Sequence, residues 1–80
     1  MNITYDHEKN EWQGLTLEYI QSLEAAYPLV DVTDQLRHKM TCWIRNNPKK
    51  GRKKLWTKFI NNWLSRDQAR KEEMKAILNR

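Results

Sequence analysis

The chain has 80 residues, a net charge of +5, 31% charged side chains, two Gly and two Pro, which describes one small, polar, mostly helical domain. A single Cys excludes an internal disulfide or a cysteine zinc cluster, and no apolar run approaches the roughly 20 residues of a membrane helix. The start MNITYDHEKN lacks the apolar stretch of a signal peptide, so the expected compartment is the reducing cytoplasm.

Core material is plentiful, with four Trp, three Tyr, one Phe and three Met. In chain order, Ile3 and Tyr5 share one side of an extended segment and Trp12 follows a polar run. This predicts a β-hairpin or extended arm over 3–14 with its turn near Glu8–Asn10, and Gly14 ends it. A lone hairpin is marginal in water, so its aromatic side chains must pack on the helices that follow. Thr16 is an N-cap candidate with Glu18 in the first turn, and Leu17, Ile20, Leu23 and Tyr27 recur at helical spacing. A first helix is expected from 16 to 26, stopped by Pro28.

The link Pro28-Leu29-Val30-Asp31-Val32 reads as an extended crossing of the core. Thr33 is the next cap, and Leu36, Met40, Trp43 and Ile44 mark a second helix over 34–46. A third helix is expected to begin at Arg52 or Lys53, with apolar positions at Leu55, Trp56, Phe59, Ile60, Trp63 and Leu64, of which 56, 59, 60, 63 and 64 form one regular series, and with Lys54, Lys58, Asn61 and Asn62 on the opposite face. At Ser65 the helix either runs on or restarts through a capping box with Gln68, and the tail 67–80 is a polar helix that frays toward its end. The expected fold is therefore mainly α: three to four short helices with a short N-terminal β-hairpin or arm packed on them. The helical core covers 15–66 and includes a basic loop at 45–58.

Charge is unevenly placed. Residues 1–40 carry three cations against seven acids, a net −4, and residues 41–80 carry twelve against three, a net +9. Arg45, Lys49, Lys50, Arg52, Lys53, Lys54 and Lys58 follow one another with no acid between them, which points to a polyanion or an acidic protein surface. A block of this kind also serves as a solvated face. What favours a site is the expected position of Lys53 and Lys54 in a helix first turn, where cations oppose the dipole by a few tenths of a kcal/mol each. There, lysines and helix amides would hold an anion together, and Lys54, Lys58 and Asn61 would track a phosphate backbone. Lysine contacts to phosphate position a ligand without reading its sequence.

Catalysis finds little support. His7 and His38 stand 31 residues apart and read as surface residues, and Cys42 reads as a small buried or half-buried thiol without a base. No GxGxxG or GxxxxGK segment, metal-ligand spacing or cofactor motif is present. A non-enzymatic protein without metal or cofactor is expected. Trp43, Trp56 and Trp63 fall on apolar faces and read as core. Trp56, between Lys54 and Lys58, is the one kept open as a base-stacking platform.

The run Ala26 to Val32 (YPxVDV at its centre), Leu36, Met40, Trp43-Ile44, Asn47-Pro48, the basic loop and Phe59 to Arg66 (FINNWLSR) with Gln68 resembles a small module of bacteriophage and prophage replication proteins. In that family the module often sits at the C-terminus of initiators or helicase-loader-like proteins, behind a DNA-binding domain. The likeness spans about residues 3–68 and implies phage origin, a bacterial host cytoplasm and a replication-linked role. Together with the basic block, the expectation is a nucleic-acid-binding accessory protein for DNA replication or recombination, with DNA favoured over RNA. The alternative is a small phage interaction module or inhibitor that docks on a replication or host-defence protein. No membrane or small-molecule partner is expected.

Overall fold

In the computed structural model, which describes residues 2–51 and 53–78, two short strands precede three helices. Strand β1 (Thr4–Asp6) pairs antiparallel with β2 (Glu11–Gln13), with Tyr5 opposite Trp12. The turn forms because the Asp6 carboxylate accepts from the backbone N–H of Glu8 (2.9 Å) and Lys9 (3.1 Å). Asn10 takes the left-handed conformation (φ 53°) that Asn tolerates better than most residues. Gly14 leaves the hairpin at φ 85°, and a Cβ there would collide with the backbone carbonyl of Asn2, so only glycine fits.

Helix α1 (Leu17–Ala26) starts where expected, because the Thr16 hydroxyl accepts from the N–H of Tyr19. The next segment departs from expectation. The backbone turns tightly at Tyr27–Val30, closed by the Val30 N–H on the Tyr27 carbonyl (3.1 Å), instead of crossing the core extended. Helix α2 then begins early. Asp31, not Thr33, is the cap: its carboxylate accepts from the Asp34 N–H at 3.0 Å. Val32 and Val30 are buried and Thr33 is exposed.

Helix α2 covers residues 32–46 as a first turn Val32–Asp34, a π-helical stretch Gln35–Lys39 and an α-helical stretch Met40–Asn46. In the wide turn the Met40 N–H reaches back to the Gln35 carbonyl. Side chains meet carbonyls in the same stretch. The Trp12 indole N–H donates to the Leu36 carbonyl (2.8 Å), and the Thr41 hydroxyl meets the carbonyls of Arg37 and His38. The hairpin is thereby bolted to α2.

Helix α3 (Trp56–Leu78) begins three to four residues later than the sequence pattern predicts and runs on through Ser65 without a restart. The Ser65 hydroxyl donates to the Asn62 carbonyl, and Gln68 is spent on the Leu29 N–H and on Glu72, so no capping box forms. Lys53 and Lys54 stand ahead of the helix, leaving Lys58 as the cation of its first turn. Leu55, apolar but outside the regular series, is 65% exposed, and Cys42, expected to be at least half-buried, is exposed.

The core is a single cluster in which Met40, Ile60 and Leu64 are fully buried and Val32, Leu36, Ile44 and Leu23 nearly so. One stripe of α3 faces it: Trp56, Ile60, Leu64 and Asp67. Ile3 and Tyr5 close the hairpin side, as their shared face predicts. There Tyr5, Trp12 and Trp56 pack ring against ring at centroid separations of 5.1–5.8 Å.

The Tyr5 hydroxyl lies buried within this cluster with no hydrogen-bond partner among the described residues. Burial pushes its pKa above the ordinary 10, and the nearby Arg45 charge opposes that shift in part. A folded-state pKa above the unfolded value means stability that is present below pH 10 and is lost as pH rises beyond it. Tyr5→Phe removes both the unpaired donor and the ionisation. The variant should therefore match the parent or exceed it by up to about 1 kcal/mol at neutral pH, and should lose less stability between pH 9 and pH 11 in urea titrations.

Candidate nucleic-acid interface

Beside the core stripe of α3 runs a second column of side chains, Phe59, Trp63, Arg66 and Arg70, spaced 4, 3 and 4 residues apart and so on one helix face. The core cannot cover this column fully. Phe59 and Trp63 are half-buried, as is Trp43 on α2 opposite them. The three rings pack tilted or edge-on against one another, with Trp43–Phe59 at 5.5 Å, Phe59–Trp63 at 5.7 Å and Trp43–Trp63 at 6.1 Å between centroids. The Trp63 indole N–H donates to Gln35 Oε1 at 2.8 Å, which fixes the ring's pose.

These rings floor two adjoining cavities. One, of about 500 Å³, is bounded by Lys53, Lys54, Lys58, Asn62 and Arg66 around Trp43, Phe59 and Trp63. The other, of about 550 Å³, continues past Trp43, Trp63 and Arg66 to Ala69 and Arg70. Because both share Trp43, Trp63 and Arg66, they form one open groove along α3. Five cations line it and no acid does. The Lys53 ammonium stands 5.4 Å from the Trp43 ring centre and 5.6 Å from that of Phe59, a cation–π placement. Arg70 is also engaged, at 3.2 Å from the Asp67 carboxylate, which Lys71 approaches from the other side at 3.6 Å.

The basic residues singled out from the sequence divide among several places. Lys53, Lys54 and Lys58 come together on the groove rim. Lys49 and Lys50 are exposed on the loop and line neither cavity, and Arg52 lies outside the described residues. Arg45 is exposed on the Tyr5 side, at the end of α2. Asn61, expected beside Lys58, points the other way. Its amide joins the hydroxyls of Tyr27 (2.9 Å) and Tyr19 (3.4 Å), tying α3 to α1, and burial raises the Tyr19 pKa above its usual value. Asn62 takes the groove position instead.

The tryptophans change roles. Trp56, kept open for stacking, is buried at 6% exposure, whereas Trp43 and Trp63, read as core, are only half-buried and line the groove. Arg66 and Arg70 were missed because they follow the dense basic block. The signal that would have found them is their i+7 and i+11 spacing from Phe59. His7 and His38 are exposed, His7 edge-on to Tyr5 at 5.3 Å, and among the described residues no cluster of three or more His, Cys, Asp or Glu could hold a metal ion.

A scan against protein-family models, a search of curated proteins and a search of solved structures each found no match to this chain. Among the described residues no helix is long and apolar enough to cross a membrane.

Proposed function

We propose that the protein is a non-enzymatic nucleic-acid-binding accessory protein, working in phage DNA replication or recombination as the resemblance to phage replication modules implies. The observation that carries the binding role is the groove itself: five cations and no acid around three half-buried aromatic rings. Lys54, Lys58 and Arg66 have no ion pair among the described residues and favour phosphate, and the half-buried rings beside them favour the flat apolar surface of bases. The test is a salt titration of binding to a labelled oligonucleotide. Three to five phosphate contacts give a slope of log affinity on log salt of about −2 to −4. A flat salt response, or no binding at low salt, overturns the reading.

The second reading, docking on a replication or host-defence protein, is favoured by one other feature. Met74, Ile77 and Leu78 share a helix face near the end of α3 and are 61%, 59% and 78% exposed. Partners captured from cells that persist after nuclease treatment would support it.

A further inference from the structure

We infer that the groove accepts single-stranded rather than duplex nucleic acid, with bases stacked on Trp43 and Trp63 and phosphates along Lys54, Lys58 and Arg66. This rests on the nucleic-acid reading above and adds the form of the strand. A duplex presents its phosphates outward but keeps its base faces inside the stack. Bound to one, the rings of Trp43 and Trp63 would meet only sugar and phosphate, and their apolar surface would gain nothing. A single strand exposes both kinds of surface at once, and every base has a face to stack.

The ligand's charge follows from the rim and from Lys53. That ammonium already occupies the faces of Trp43 and Phe59 from one side. A cationic ligand would compete with it and be repelled by the remaining cations lining the groove. A flat neutral ring carried on an anionic chain satisfies both the floor and the rim. The groove's length selects a strand over a free nucleotide. From Lys58 to Arg70 the cations extend about 18 Å along the helix axis at 1.5 Å per residue, and a mononucleotide cannot reach both ends.

Three probes of equal length test this on the full chain by fluorescence anisotropy: oligothymidylate, an abasic strand with the same phosphates, and a blunt duplex. Oligothymidylate should bind about tenfold or more tighter than the abasic strand, the effect of stacking one to two bases, and tighter than the duplex despite the duplex's higher charge density. It should quench the protein's tryptophan fluorescence while the abasic strand does not. Trp43→Leu keeps an apolar side chain but removes the stacking face. That variant, with Trp63 still in place, should lose one base's share of the preference for oligothymidylate over the abasic strand, about fivefold or more, with circular dichroism unchanged. Excess thymidine monophosphate should not displace the strand. Equal or tighter binding of the abasic strand or duplex, or displacement by the monophosphate, overturns the single-strand inference while leaving phosphate binding intact. No binding of any probe at low salt removes the nucleic-acid reading itself.

Discussion

Ile60→Ala should lower stability by about 2–5 kcal/mol, the usual cost of truncating a fully buried Ile. Ile60 is 0% exposed at the centre of the stripe by which α3 meets the core. The chain has 80 residues, and at about 0.05–0.15 kcal/mol per residue its whole stability is on the order of 4–12 kcal/mol. The substitution therefore removes a large share of it. The melting temperature should fall by roughly 8–40 °C, at about 4–8 °C per kcal/mol in a domain of this size. Leu55→Ala is the matched comparison. Leu55 is an apolar neighbour outside that stripe and is 65% exposed, and its truncation should stay within about 0.5 kcal/mol of the parent. Thermal melts of the two variants showing similar losses would contradict the packing of α3.

Sequence pattern is informative over short distances along the chain. The mainly α fold, the hairpin with its buried Ile3 and Tyr5, the Thr16 cap and the Pro28 stop were all legible, because each rests on residues within a few positions of one another. The start of α3 was not. Lys53, Lys54 and Leu55 are good helix formers, and no Ser, Thr, Asp or Asn stands before Trp56 to mark a cap. The π-helical stretch of α2 was hidden for another reason: it carries a hydrogen bond to Trp12, which lies 24 residues earlier in the chain.

The site was half legible for a related reason. The basic block was plain, but periodicity assigned every aromatic on the third helix to the core. An apolar stripe that holds 56, 59, 60, 63 and 64 is wider than two other short helices and a hairpin can cover. The uncovered edge, at Phe59 and Trp63, became the groove floor. Nor does local pattern show that Arg45 lines neither cavity while Arg66, twenty-one residues on, joins Lys54 and Lys58.

Two triple variants of equal net charge distinguish that groove from a general cationic field. Lys54→Gln with Lys58→Gln and Arg66→Gln removes three cations from the rim, and Arg45→Gln with Lys49→Gln and Lys50→Gln removes three from elsewhere. Each takes the net charge from +5 to +2. All six side chains belong to exposed residues with no salt bridge among the described residues, so both variants should fold with near-parental melting temperatures. If the strand follows the groove, the first variant loses about 0.7 of salt slope per phosphate released, or roughly 2 in all. Extrapolated from a reference near 1 M, where this term vanishes, the loss at 0.1 M salt is about a hundredfold in affinity. The second variant keeps the parental slope within about 1 and loses only the weaker long-range attraction, which salt screens over about 10 Å at that concentration. Equal losses in the two variants would show that binding follows net charge alone, and a larger loss in the second would move the site to the loop at Lys49 and Lys50.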